Sequence, residues 1–122
     1  MQFDFNTDLP IFVQVAEQIE SAILSGALEE GAQAPSTTEI SVLYKINPAT
    51  ALKGVSMLAD DGVLFKKRGL GMFVADGAKE RIVEKRRSQF YEKYVVPLVI
   101  EAVKLGLSTE QLDDMIRRGL KA

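Results

Sequence analysis

The sequence has 122 residues, 47% of them hydrophobic and 26% charged, the size and balance of one ordinary globular domain with at most a short appendage. It contains no Cys and no His, which excludes a disulfide framework, thiolate or imidazole chemistry and a soft metal site, so no cofactor is expected. The net charge of −2 excludes a uniformly basic surface but hides an asymmetry: seven acids and no base precede Lys45, whereas residues 45–93 carry eleven bases against six acids.

The first ten residues, MQFDFNTDLP, lack the basic start and apolar stretch of a secretion signal. No apolar run approaches the roughly 20 residues of a membrane span, so a cytoplasmic chain with no membrane partner is expected. Pro10 suits the first turn of a helix, and Ile11, Val15, Ile19, Ala22 and Ile23 repeat at helical spacing until Gly26 stops it. After a Gly-containing connection, Ser36-Thr37-Thr38-Glu39 forms a capping box that opens a short second helix from Thr37 to about Leu43, with Val42 and Leu43 supplying apolar packing at its end. Asn47-Pro48 is an N-cap followed by a first-turn proline, and a third helix runs from there to about Asp60.

Gly62 terminates that helix. Val63-Leu64-Phe65 then reads as a strand that becomes basic at Lys66-Lys67-Arg68, turns at Gly69 and Gly71, and returns through Met72-Phe73-Val74-Ala75. Residues 63–75 are thus a β-hairpin with a cationic tip. Helix, helix, turn, helix and basic hairpin is the order of a winged helix-turn-helix, whose third helix enters the major groove while the wing touches flanking backbone. On the third helix Asn47, Ala49, Thr50 and Lys53 are expected to face outward, and Leu52, Val55 and Leu58 inward. With Lys66, Lys67 and Arg68 they form a candidate surface for double-stranded DNA. Small residues also build a well-capped helix without touching DNA, and charge runs of this kind also occur on plain solvated faces.

Several segments together resemble the DNA-binding domain of the GntR family of bacterial repressors. They are Pro10-Ile11-Phe12, Ala22-Ile23-Leu24-Ser25-Gly26, Pro35-Ser36-Thr37, Asn47-Pro48-Ala49-Thr50, Asp61-Gly62 and Arg68-Gly69-Leu70-Gly71-Met72-Phe73-Val74. The likeness covers roughly residues 9–76, and the short tail resembles the small YtrA-type subfamily. The resemblance implies a homodimeric, operator-binding transcription factor, often one that represses a transporter operon and its own gene. Carried over by position, it brings Ser36 and Thr38 near phosphate, Asn47, Ala49, Thr50 and Lys53 to the major groove, and Arg68 and Gly69 to the wing's groove contact. The chain departs from the pattern at Thr38, where the family usually has Arg, and at Ala51-Leu52, where some members place a base-contacting Arg.

Beyond residue 76 the pattern is helical from Ala78 to about Lys104, first charged and then apolar, with Pro97 expected to break or kink it. Ser108-Thr109-Glu110-Gln111 is a second capping box, opening a terminal helix with Leu112, Met115, Ile116 and Leu120 on one side. So short a segment buries too little to stand alone. A second copy of the chain is the economical cover, with Phe90, Tyr94, Leu98, Leu112 and Ile116 in the shared core; folding back on the winged domain is the monomeric alternative. The expected fold class is therefore α+β, mainly α, with a winged helix-turn-helix at 1–76 and a helical dimerisation tail at 77–122. The sequence identifies no small-molecule effector. Two other classes compete with a DNA-binding regulator. One is a winged module for protein contact, mildly favoured by the acidic total and by Thr38. The other is an enzyme using Asp60-Asp61 or Asp113-Asp114, but adjacent acids point to different sides of a helix and make a poor acid/base pair.

Overall fold

The computed structural model describes residues 8–122; the expectations that rest on residues 1–7, Asp4 among them, lie outside the described residues. The described residues form two compact units, divided between Glu84 and Lys85. Ala78 and Ile82, beyond the hairpin, are buried in the core of the first unit.

In the first unit, α1 (Ile11–Ser25) starts after Pro10, whose carbonyl accepts from the amides of Val13 and Gln14, and ends at Gly26 in the left-handed conformation at φ 86°. Val15, Ala16, Ile19 and Ile23 form its buried stripe. The α2 helix (Thr37–Tyr44) opens with the capping box as expected: the Ser36 hydroxyl accepts from the Glu39 amide at 3.0 Å, and the Glu39 carboxylate accepts from the Ser36 amide at 3.2 Å. It ends at Lys45, a non-glycine residue at φ 53°. Only Ile40 of this helix is buried; Val42 and Leu43, expected to pack, are each 71% exposed. A helix of eight residues presents a single narrow face to the core, and Ile40 occupies it.

The α3 helix (Pro48–Asp60) is capped by Asn47, whose Oδ1 accepts from the Ala49 amide at 2.8 Å. It buries Ala51, Gly54, Val55 and Leu58. Leu52, expected inward, lies on the outside, because Gly54 faces α1 and Ala51, Val55 and Leu58 take the other buried positions. At Gly54 the two helices approach closely: a Cβ there would stand 2.7 Å from the Phe12 carbonyl oxygen and 2.9 Å from Val15 Cβ.

Strands β1 (Leu64–Lys67) and β2 (Gly71–Val74) pair antiparallel with Leu64 opposite Val74, Phe65 opposite Phe73, Lys66 opposite Met72 and Lys67 opposite Gly71. Leu64 and Val74 enter the core, while Phe65, Phe73 and Lys67 share the other face, as the two-residue period of a strand requires. The connection between α1 and α2 adds a partial third strand that the sequence did not signal. Gln33 bridges Phe73, and Ala34 and Val74 donate to the carbonyls of Met72 and Ala32.

The α4 helix (Ala78–Phe90) is charged along most of its length. In the second unit, a single π-helical turn (Tyr91–Val95) leads into α5 (Val96–Lys104). Pro97 does not break the chain of helices. The wider turn, closed by the Val96 amide donating to the Tyr91 carbonyl, absorbs the missing proline donor at the start of α5. After Gly106, α6 (Thr109–Lys121) opens with the second capping box, in which Ser108 and Gln111 satisfy each other's amides at 3.1 and 2.8 Å. Among the described residues, no helix is long and apolar enough to cross a membrane.

Candidate nucleic-acid interface

The exposed side of α3 is built by its own burial pattern. With Ala51, Gly54, Val55 and Leu58 fixed inward, a 100° step per residue turns Ala49, Leu52, Lys53 and Ser56 to solvent, and all four are exposed. Asn47 is exposed as expected, but its side-chain oxygen is committed to the cap, which leaves its amide group as the donor. Thr50, expected outside, is half-buried. The Lys53 ammonium lies 4.1 Å from the centre of the Phe12 ring on α1, so an aromatic face holds this charge beside the helix.

At α2, Ser36 is half-buried and engaged in its capping box, whereas Thr38 is exposed in the first turn. Backbone N–H groups at such a helix start favour anions, and the cap consumes only some of them. The wing carries Lys66, Lys67, Arg68 and Gly69, all exposed, and Gly69 takes φ 78° in the turn that the Leu70 amide closes onto the Lys67 carbonyl at 2.9 Å. The Lys67 ammonium stands 4.2 Å from the Phe73 ring centre and 5.7 Å from that of Phe65, so the alternation of β1 separates it from Lys66.

Three contributors escaped the sequence. Gln33 braces the wing by donating from Nε2 to the Leu70 carbonyl at 2.7 Å. Close by, Gly71 at φ 119° leaves only 2.9 Å between a hypothetical Cβ and that same Nε2. Glu30 accepts from the amides of Gly77 and Lys79 at 2.9 and 3.1 Å, capping α4 from the α1–α2 connection. These backbone hydrogen bonds, first Gly77 and then Lys79, hold the Glu30 carboxyl below its ordinary value. The third is Leu52, 55% exposed on the outer side of α3. Among the described residues, no group of His, Cys, Asp or Glu is placed to hold a metal ion.

Three helices and a two-stranded wing, with a capped third helix that keeps small and cationic residues outside, define a winged helix-turn-helix domain. Residues 12–74 match the family described as bacterial regulatory proteins, gntR family, and the chain belongs to that family of DNA-binding transcriptional regulators. It is 28% identical over 117 residues to the HTH-type transcriptional repressor YtrA of Bacillus subtilis (strain 168), covering 96% of this chain and 89% of that protein. A GntR family transcriptional regulator from Listeria monocytogenes shares the fold with a TM-score of 0.74 at 22% identity, over 95% of this chain and 98% of its own. AraR(DBD) in complex with operator ORX1 matches 61% of this chain and 93% of its own at 28% identity, with a TM-score of 0.55.

Proposed function

We propose that the protein is a homodimeric, cytoplasmic repressor that binds a palindromic operator, and that it controls a transporter operon together with its own gene. In this reading α3 enters the major groove with Asn47, Ala49, Thr50 and Lys53 toward base edges. Ser36 and Thr38 meet phosphate at the start of α2, and Lys66, Lys67, Arg68 and Gly69 meet it from the wing. The observation that carries the regulator reading is the outward face of α3 on a domain whose wing is cationic, in a chain whose total charge is negative. Similarity to a named repressor supports the sign of regulation, and the family resemblance supports the operon.

The dimer rests on the second unit. Phe90, Tyr94, Leu98 and Ile116 are each about half exposed, and Leu112 is partly buried. Leu98, Ala102, Leu107, Leu112 and Met115 line an open apolar groove of about 450 Å³ between α5 and α6. So much apolar surface on so few residues is the mark of an interface, and a two-fold copy covers each stripe with the other. Joining two half-site readers makes the second contact intramolecular and sets their spacing.

The test uses the full chain and a duplex selected by it from a random-sequence library. The native protein sediments as a dimer at micromolar concentration and selects an inverted repeat, and five base pairs inserted between half-sites abolish tight binding. The double variant Leu98→Glu/Ile116→Glu sediments as a monomer, binds weakly and ignores the insertion. A native monomer with full operator affinity overturns the arrangement.

A further inference from the structure

We infer that Leu52 is a specificity-determining residue, whose side chain reads the 5-methyl groups of thymine in the major groove of each half-site. The inference rests on the assignment of α3 as the recognition helix and extends it to the chemistry of the operator.

The rotation of α3 decides what the helix can offer a base edge. The contact of Gly54 with Phe12 and Val15 fixes the rotation of the helix, which places Leu52 on the outside at 55% exposure. Hydrogen-bonding readout is sparse here. Residues 47–60 contain no Arg, Gln or Glu, and the Asn47 oxygen is held by the Ala49 amide, which leaves Lys53 as the one long hydrogen-bonding side chain on the exposed side. The exposed neighbours Ala49 and Ser56 are short, so Leu52 is the longest apolar side chain on this side of the first three turns. The major groove presents one prominent apolar group, the C5-methyl of thymine, and apolar side chains are its natural partners. A scattered exposed leucine is ordinary on a protein surface. This one stands on the exposed side of the third helix of a DNA-binding domain, between a small residue and a lysine, where a base edge is the surface it meets.

Replacing thymine by deoxyuridine deletes the methyl and leaves every hydrogen-bonding group in place, so the full chain is titrated by fluorescence anisotropy against its selected duplex with each thymine replaced in turn. At the contacted positions the native protein loses about fourfold in affinity per methyl, the equivalent of a buried methylene. Leu52→Ala binds the thymine and deoxyuridine duplexes equally at those positions, whereas Leu52→Met retains the discrimination; circular dichroism confirms that both variants are folded. Indifference of the native protein to every deoxyuridine overturns the inference, as does Leu52→Ala keeping the full set of methyl penalties. If Leu52→Ala leaves DNA binding intact and instead changes the sedimentation coefficient, the side chain serves a protein contact and the inference fails. If the native chain selects no duplex at all, the DNA-binding reading fails first, and this inference with it.

Discussion

Gly54→Ala places one methyl group where α1 and α3 touch, and the structure determines the sign of its effect. Alanine is the better helix former by about 1 kcal/mol, so an exposed glycine at mid-helix gains from this substitution. At Gly54 the new Cβ meets the Phe12 carbonyl oxygen at 2.7 Å and Val15 Cβ and Cγ1 at 2.9 Å. The first of these is backbone, which no rotamer change relieves, so α1 must move away from α3. Overpacking of this kind costs about 1–3 kcal/mol, and a backbone clash belongs at or above the upper end. Subtracting the propensity gain of about 1 kcal/mol leaves a net loss of about 2 kcal/mol or more, a fall in melting temperature of roughly 8–16 °C or more for a unit of this size. Urea titration followed by circular dichroism measures it, with Gly119→Ala as the control. That glycine is also helical but has nothing within 4 Å of its Cβ position in the protomer, so the control gains up to about 1 kcal/mol. A Gly54→Ala protein as stable as the native one would refute the close approach of the two helices.

Replacing Lys66, Lys67 and Arg68 by Ala weakens binding to all DNA sequences alike and flattens its salt dependence by about 0.9 for each phosphate that the wing no longer neutralises; an unchanged slope in filter binding removes the wing from the interface. Lys67→Ala alone also loosens the hairpin by about 0.5–1 kcal/mol, since its ammonium packs on Phe73, and a thermal melt detects the loss. Lys53→Ala relaxes discrimination at particular base pairs by roughly 1–3 kcal/mol, whereas uniform losses over an operator panel reassign it to phosphate. Glu30→Gln destabilises the protein at neutral pH. Because the folded carboxyl titrates below its ordinary value of 4.5, the stability it contributes is fully present above that pH and disappears as pH falls through the lowered folded value. Melts of the two proteins therefore converge in acid, and a constant gap at every pH contradicts the cap.

What was legible in the sequence was local. Ser36 with Glu39, Ser108 with Gln111, Asn47 with Pro48, and Gly26 each satisfy or terminate a helix end through residues within a few positions, so their types and spacing suffice to recognise them. The faces of short helices were not legible. Whether Leu52, Val42 or Leu43 is covered depends on how α2 and α3 are rotated against α1, and a glycine at position 54 alters that rotation without altering the apolar pattern. Lys45 in the left-handed region carries no glycine signal, because the local fold imposes the conformation on an ordinary side chain. Pro97 was readable as a disturbance, but its resolution into one π-helical turn depends on helical structure continuing on both sides. Of the candidate interface, the cap, the wing and Lys53 were readable; Gln33 and Glu30 were not, since their partners lie 37 to 49 residues away.

Those two distant contacts explain how the wing is oriented. The stretch from Glu30 to Ala34 touches three elements at once: Glu30 caps α4, Ala32 and Ala34 pair with β2, and Gln33 holds the loop carbonyl of Leu70. This pairing makes β2 the interior strand and leaves β1 at the edge, with its lysines exposed. A strand edge that displays unpaired backbone groups invites association with other chains, and lysine is the usual deterrent. Lys66 and Lys67 therefore protect this edge as well as adding to the cationic surface of the wing. Arg68 lies beyond β1 in the turn, where no such protection is needed. Among the three cations of the wing, Arg68 is accordingly the one whose presence argues most directly for DNA.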